Sequence, residues 1–195
     1  MKILVLLVIF ITALNFGQST KLVELQSKFK SLEDFSADFK QSTNAKSGLS
    51  GKIFYKKDKR FRMEIKNMVI LTDGITSWNY NQRDNKVIIS DYNEDDQTIL
   101  SLDKLIFDYP SKCNVSESNE ANEAVVNLIP NNSSLNFTSA KIWLNDNSLI
   151  KKILIVDTNN AQILVEFTNY KLNQKIPANK FVFSVPEGCK IIDLR

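Results

Sequence analysis

The sequence predicts an α+β protein dominated by β-structure, with one antiparallel sheet partly covered by two short amphipathic helices. Three observations predict it. From Phe35 onward, apolar and polar residues alternate in short runs, the period of half-buried strands. Polar turn signals such as Asp73-Gly74 and Asn159-Asn160 separate those runs closely enough for hairpins, which build an antiparallel meander and not a parallel sheet. Helical spacing is confined to two stretches, before Asp34 and from Thr98 to Phe107.

The first helix is expected after Ser19 and Thr20, both good N-caps, with Leu22, Leu25, Phe29 and Leu32 on one face. Phe35, Ala37 and Phe39 then alternate with Ser36, Asp38 and Lys40 as a strand. Gly48 and Gly51 are read as bracketing a turn, with the next strand at Lys52 to Lys57. Lys57-Asp58-Lys59 reads as a tight hairpin into Phe61, Met63 and Ile65, which alternate with Arg60, Arg62 and Glu64. Asp73-Gly74 separates Val69-Ile70-Leu71 from Trp78-Asn79-Tyr80, because glycine accepts the positive φ such turns need. Lys86 to Ser90 is a further strand, and Ile99, Leu102, Leu105 and Ile106 recur at helical spacing. The Ser-, Asn- and Glu-rich stretch from Ser111 to Glu123 reads as a mobile surface loop. The remaining strands are expected at Ala124 to Ile129, Phe137 to Leu144, Leu149 to Asp157, Gln162 to Tyr170 and Lys180 to Val185.

Two short helices are little cover for so large a sheet. Either a hydrophobic concavity remains between the layers, of a kind that suits an acyl chain, or the sheet closes over a packed core. Trp78 and Tyr80, two apart, share a face and fit either arrangement.

At the N-terminus, Lys2 precedes the apolar run Ile3 to Ile11, and small and polar residues follow to Gly17. That order is expected of a secretory signal, residues 1–18, cleaved somewhere between 13 and 19; residues 19–195 form one domain. The apolar run falls short of the roughly 20 residues needed to span a bilayer. No cysteine near its end can take a lipid anchor, so the expected mature chain is exported and free in solution. Losing Lys2 lowers the formal charge from +3 to +2, too weak a field to argue for nucleic acid or an anionic membrane as partner.

The chain has no histidine. That removes the commonest general base, the Ser-His and Cys-His pairs and the commonest metal ligand, so no catalytic residue, metal site or cofactor is assigned. Cys113 and Cys189 are too far apart in sequence for a CxxC site. In an oxidising compartment they can pair, contributing roughly 4 kcal/mol through the long loop closed, or both can stay free. The basic run Lys56, Lys57, Lys59, Arg60 and Arg62 reads as a solvated hairpin that protects a sheet edge. Asp91, Glu94, Asp95 and Asp96 lack calcium-loop spacing, and Asp95 or Asp96 fits better as a helix cap. Nothing brings Asp38 and Glu64 together as an acid/base pair.

Several motifs occur in order across nearly the whole mature chain. They are Phe35-Ser36-Ala37-Asp38-Phe39-Lys40-Gln41, Arg60-Phe61-Arg62-Met63-Glu64, Asp73-Gly74 with Trp78 and Tyr80, and Phe181-x-Phe183-x-x-Pro186-x-Gly188-x-x-Ile191-x-Asp193. Together they resemble the periplasmic outer-membrane lipoprotein carrier family, LolA. The resemblance implies an incomplete antiparallel β-barrel, a strongly curved sheet, covered by a helical lid. It implies a monomeric, non-enzymatic periplasmic carrier that takes lipoproteins by their acyl chains from an inner-membrane ABC transporter to the outer membrane, where the acceptor is left open. A lipid-binding or lipoprotein-sensing protein of the same fold is the alternative, and an ordinary β-rich enzyme is a third.

Carried onto this sequence, the resemblance assigns the acyl cavity to Phe61, Met63, Ile65, Ile70, Trp78, Tyr80, Ile89, Phe181 and Phe183, with Met63 where the family has Trp. It assigns the lid to Leu22, Leu25, Phe29, Ile99, Leu102, Leu105 and Ile106. Lys57 replaces an arginine that holds the lid, so the lid is expected to be held less firmly or by different bonds.

Overall fold

The computed structural model describes residues 20–93 and 101–195. The expected signal segment, the Asp95/Asp96 cap and Ile99 lie outside the described residues. Helix α1 (Thr20–Ser31) precedes six strands: β1 (Asp34–Thr43), β2 (Lys46–Lys56), β3 (Arg60–Ile65), β4 (Met68–Thr72), β5 (Thr76–Asn81) and β6 (Lys86–Asp91). A helical segment, Lys104–Asp108 and Tyr109–Lys112, leads into β7 (Cys113–Glu120), β8 (Glu123–Pro130), β9 (Phe137–Leu144), β10 (Ile150–Asp157) and β11 (Gln162–Leu172). A short helical turn, Ala178–Phe181, precedes β12 (Lys190–Asp193).

The strands form one unclosed sheet in the order β12-β6-β5-β4-β3-β2-β1-β11-β10-β9-β8-β7. The chain thus lays down two arms, β1–β6 and β7–β11, joined where β1 pairs with β11. Within each arm sequence neighbours pair antiparallel, but β12 joins β6 in parallel, which a pure meander does not anticipate. Register shifts in β1 on both of its sides bend the sheet at this junction. The result is an incomplete, strongly curved barrel with helices over its concave side.

Four expectations change. The first turn falls at Asn44-Ala45, whose φ values of 50° and 61° suit a two-residue hairpin, while Gly48 and Gly51 lie inside β2. Gly51 is required by proximity and not by a turn, since a Cβ there would stand 2.0 Å from the Glu64 carbonyl oxygen. Ser111 to Glu123 is not a loop but the end of the helical segment plus β7, paired along its length with β8 through a turn at Ala121-Asn122. Its polarity is that of an edge strand, half of which water can solvate.

The expected strand from Lys180 to Val185 is a helical turn followed by unpaired chain. Prolines 177 and 186 flank it and offer no N–H to a ladder, so it lies across the sheet instead of joining it. Finally, the second helical stretch, which among the described residues starts at Leu102, is not a regular α-helix. Tyr109 N–H reaches back to the Lys104 carbonyl, a wide i→i+5 turn.

Two cores result, on opposite faces. Leu22, Leu25 and Phe29 of α1, with Leu102, Leu105 and Ile106, pack on the inner face against Phe35, Phe39, Ile53, Ile142 and Ile153. Residues directly opposite in an antiparallel pair share a face, so Phe61, Met63 and Ile65 align with Thr72, Ile70 and Met68 on that inner side. The rungs Leu71–Trp78 and Val69–Tyr80, then Trp78–Ile89 and Tyr80–Val87, run along the outer face. There the chain after β11 covers them, with Phe181 fully buried and Phe183 5.1 Å from the Tyr80 ring. Strand β4 is where the apolar face changes sides, which is why Val69, Ile70 and Leu71 are all buried.

Candidate functional site: an apolar wall under a helical cover

Ile53, Phe61 and Met63 form an apolar wall facing Leu102 of the helical segment, while Tyr55, Lys59, Tyr92 and Asp103 stand at the rim. The hairpin Lys57-Asp58-Lys59 creates this wall, because its register sets Tyr55 against Phe61 and Ile53 against Met63. Phe61 is buried and meets the Tyr92 ring edge-on at 6.3 Å. The space between wall and cover is about 20 Å³, room for about one water molecule. Of the two arrangements open from the sequence, the structure takes the packed one, with the cover closed.

The cover is held by packing and by polar contacts, among them two hydrogen bonds. Tyr55 donates its hydroxyl to Asp103 Oδ1 at 2.8 Å, and Gln26 Nε2 of α1 donates to the Ile106 carbonyl at 2.9 Å. Burial, then the adjacent Asp103 carboxylate, push the Tyr55 phenol well above its ordinary pKa, so it stays protonated and donating. Its ring is stacked on Phe35 at 5.1 Å, which fixes the direction of the hydroxyl. No local pattern marks this pair, which is 48 positions apart. The only hint in the chain is that Tyr55 alternates with Ile53 on the strand before the Phe61 strand.

The structure divides the nine residues assigned to the cavity. Phe61, Met63, Ile65 and Ile70 stand on the inner face. Trp78, Tyr80, Ile89, Phe181 and Phe183 belong to the outer face and its covering chain, and so line a different layer. Of the lid residues, Leu22, Leu25, Phe29, Leu102, Leu105 and Ile106 are buried in the inner core. Lys57 does not reach the helical segment. Its ammonium lies 2.6 Å from Glu33, just past α1, and its N–H donates to the Glu33 carbonyl.

The other candidates resolve into structural roles. Cys113, buried in β7, and Cys189, just before β12, are both free thiols near opposite ends of the sheet order, so the disulfide is absent. Arg60 pairs with Asp58, and Arg62 with Glu64, while Lys56 donates to the Ile176 carbonyl. Asp38 meets Lys52 and Asn169, far from any contact with Glu64. Glu64 also takes Lys180 at 2.8 Å. Burial raises its pKa, but the bonds from Lys180 and Arg62 outweigh that and hold it below the ordinary glutamate range. Among the described residues no group of three or more acidic, cysteine or histidine side chains is placed to hold a metal.

The covering chain on the outer face is anchored by a residue that pattern reading overlooked. Asp34, almost fully buried, accepts N–H bonds from Gln174 at 2.7 Å and Ile176 at 2.9 Å. An acidic residue opening a strand after a helix carries no signal of that partner, which is 140 positions away.

Comparison with known proteins agrees with this architecture. An outer-membrane lipoprotein carrier protein of Francisella philomiragia is 27% identical over 205 aligned positions, covering 99% of this chain and 98% of the relative. One of Actinobacillus succinogenes is 28% identical, covering 88% and 85%. An uncharacterized conserved protein from Thermus thermophilus superposes with a TM-score of 0.59 over 89% of this chain and 96% of its own, at 10% identity, which bears on the fold alone. Residues 30–184 match the family described as outer membrane lipoprotein carrier protein LolA, and the chain belongs to that family.

Proposed function

We propose that this protein is a periplasmic carrier that takes the acyl chains of lipoproteins between the inner wall and the helical cover, and moves its cargo from the inner membrane to the outer membrane. The observation that carries this reading is the Ile53–Phe61–Met63 wall facing Leu102, an apolar surface closed by a separable layer and edged by polar groups. A concave apolar surface with a few polar groups at one end suits an amphiphile. Met63 is flexible and polarisable, so the wall can adapt to chains of different shape.

Release must be possible as well as uptake. Each acyl CH₂ removed from water contributes about 0.8 kcal/mol. Opening the cover exposes Leu102, Leu105 and Ile106, each costing about 1.5–3 kcal/mol if fully exposed. The closed empty form therefore offsets much of the gain from cargo, which keeps binding reversible. The donor is an inner-membrane lipoprotein-releasing transporter, the carrier acts as a monomer, and no covalent step is assigned to it.

Native mass spectrometry of the protein purified from the periplasm of an expressing Gram-negative host tests the reading. The expected result is a one-to-one complex with an intact lipoprotein that detergent dissociates. Recovery of free phospholipid alone would instead favour a lipid-binding or sensing role.

A further inference from the structure

The edge of the sheet opposite β12 is β7, which among the described residues pairs only with β8. Asn131 N–H donates to the Lys112 carbonyl at 2.9 Å, making that rung a bonded one. Bonded and non-bonded rungs alternate in an antiparallel ladder. Asn114, Ser116, Ser118 and Glu120 therefore direct their backbone groups at β8, whereas Cys113, Val115, Glu117 and Asn119 direct theirs outward. Cys113 N–H fits this assignment, since it turns away from β8 to the Pro110 carbonyl. For Val115 and Asn119, no described residue supplies a partner to the outward backbone groups.

Beside this edge runs a groove of about 640 Å³, walled by Leu22 and Gln26 of α1, by Phe107, and by consecutive residues of β7 from Cys113 to Glu117. Its lining mixes apolar groups, Leu22, Phe107, Pro110 and Val115, with neutral polar ones, and its one carboxylate, Glu117, is engaged with Thr20 and the Lys21 N–H at the start of α1. The same helical segment borders both this groove and the acyl pocket. Leu102 and Asp103 face the pocket, and Phe107, Pro110 and Ser111 face the groove. At about 1.5 Å per helical residue the two are roughly 6–14 Å apart, the reach of about two to four extended residues.

We infer that the free edge of β7 is a cargo-recognition subsite, where the neutral, extended peptide directly following the acylated residue of a lipoprotein adds as a strand. This rests on the carrier reading of the acyl pocket and extends it to the protein part of the cargo. A strand edge favours a polypeptide over a lipid surface, because unpaired N–H and C=O groups are costly to bury in hydrocarbon. Main-chain pairing also recognises a peptide with little regard to its side chains, which suits a carrier of many cargoes.

The test uses the mature protein, a synthetic lipopeptide with an acylated N-terminal cysteine and ten Ser/Asn/Gly residues, and the same acylated cysteine without the peptide. Residue-resolved amide exchange reads the outcome. The lipopeptide should slow exchange at Val115 and Asn119 about tenfold, leaving the β8-paired amides of Asn114 and Ser118 unchanged, and the acylated cysteine alone should not. Val115→Pro deletes one outward N–H without touching the ladder to β8. It should weaken lipopeptide binding about tenfold and leave acyl-cysteine binding unchanged. If that variant fails to fold, the exchange pattern of the unmodified protein decides.

Equal protection by both ligands, or protection that grows with protein concentration in the absence of ligand, overturns the subsite. In either case the carrier reading stands. Failure of both ligands to bind overturns the carrier reading and the subsite with it.

Discussion

Tyr55 and Asp103 join the inner wall of the sheet to its helical cover through one 2.8 Å hydrogen bond, held in place by the stacking of Tyr55 on Phe35. A neutral phenol donating to a carboxylate is a charge-assisted bond of about 1.5–3 kcal/mol. Lys57, to which the motif resemblance assigned the holding of the lid, binds Glu33 instead.

Tyr55→Phe keeps the stacking and removes the bond. The amides of Leu105 and Ile106 are expected to exchange at least about tenfold faster, with those of β9 and β10 unchanged, because local opening and not global unfolding is affected. Amide exchange by mass spectrometry checks this. Equal rates in the two proteins would mean that packing alone holds the cover.

The separation of faces makes a paired prediction. Phe61→Glu places a charge on the inner wall and should reduce binding of a fluorescent fatty-acyl probe by more than tenfold. Trp78→Ala acts on the outer face at a half-buried ring, so it should leave probe binding within about twofold while lowering stability by about 1.5–3 kcal/mol. Probe titration and urea unfolding of both variants distinguish the two faces; similar binding losses in both would contradict the assignment.

Whether these faces were legible beforehand differs from strand to strand. Phe61, Met63 and Ile65 alternate so regularly that their common side was readable. Trp78 and Tyr80 alternate as well, yet alternation cannot say which layer covers a face. The three consecutive apolar residues Val69, Ile70 and Leu71 were the signal that both sides of β4 are buried, and so that the apolar face changes there. β7 was missed because an edge strand needs no apolar periodicity, and Tyr55–Asp103 because the pair is created by tertiary folding alone.

The outer layer gives a pH prediction. Glu64 is held below the ordinary glutamate range by Lys180 and Arg62. A carboxylate depressed in the folded state contributes stability that is fully present above its unfolded pKa and is lost as pH falls through the folded value. Thermal midpoints measured from pH 7 down to pH 3 should therefore fall less steeply in Glu64→Gln than in the unmodified protein, the difference opening below about pH 4.5. Parallel curves would remove Glu64 from the account of acid stability.

Asp34 anchors the start of the outer covering chain. Asp34→Ala leaves the Gln174 and Ile176 N–H groups without their acceptor and should cost about 3 kcal/mol, with early proteolytic cleavage between residues 173 and 189. Asp34→Asn retains one carbonyl acceptor and should lose less. Denaturant unfolding with limited proteolysis measures both effects, and an unchanged cleavage pattern in Asp34→Ala would show that the layer is held elsewhere.

The central claim is that the inner wall carries acyl chains between membranes. The most direct measurement is lipoprotein release from spheroplasts into a soluble complex with the added carrier, followed by delivery to outer-membrane vesicles. The unmodified protein is expected to release and deliver its cargo, and folded Phe61→Glu to release none. Normal release and delivery by Phe61→Glu would contradict the claim.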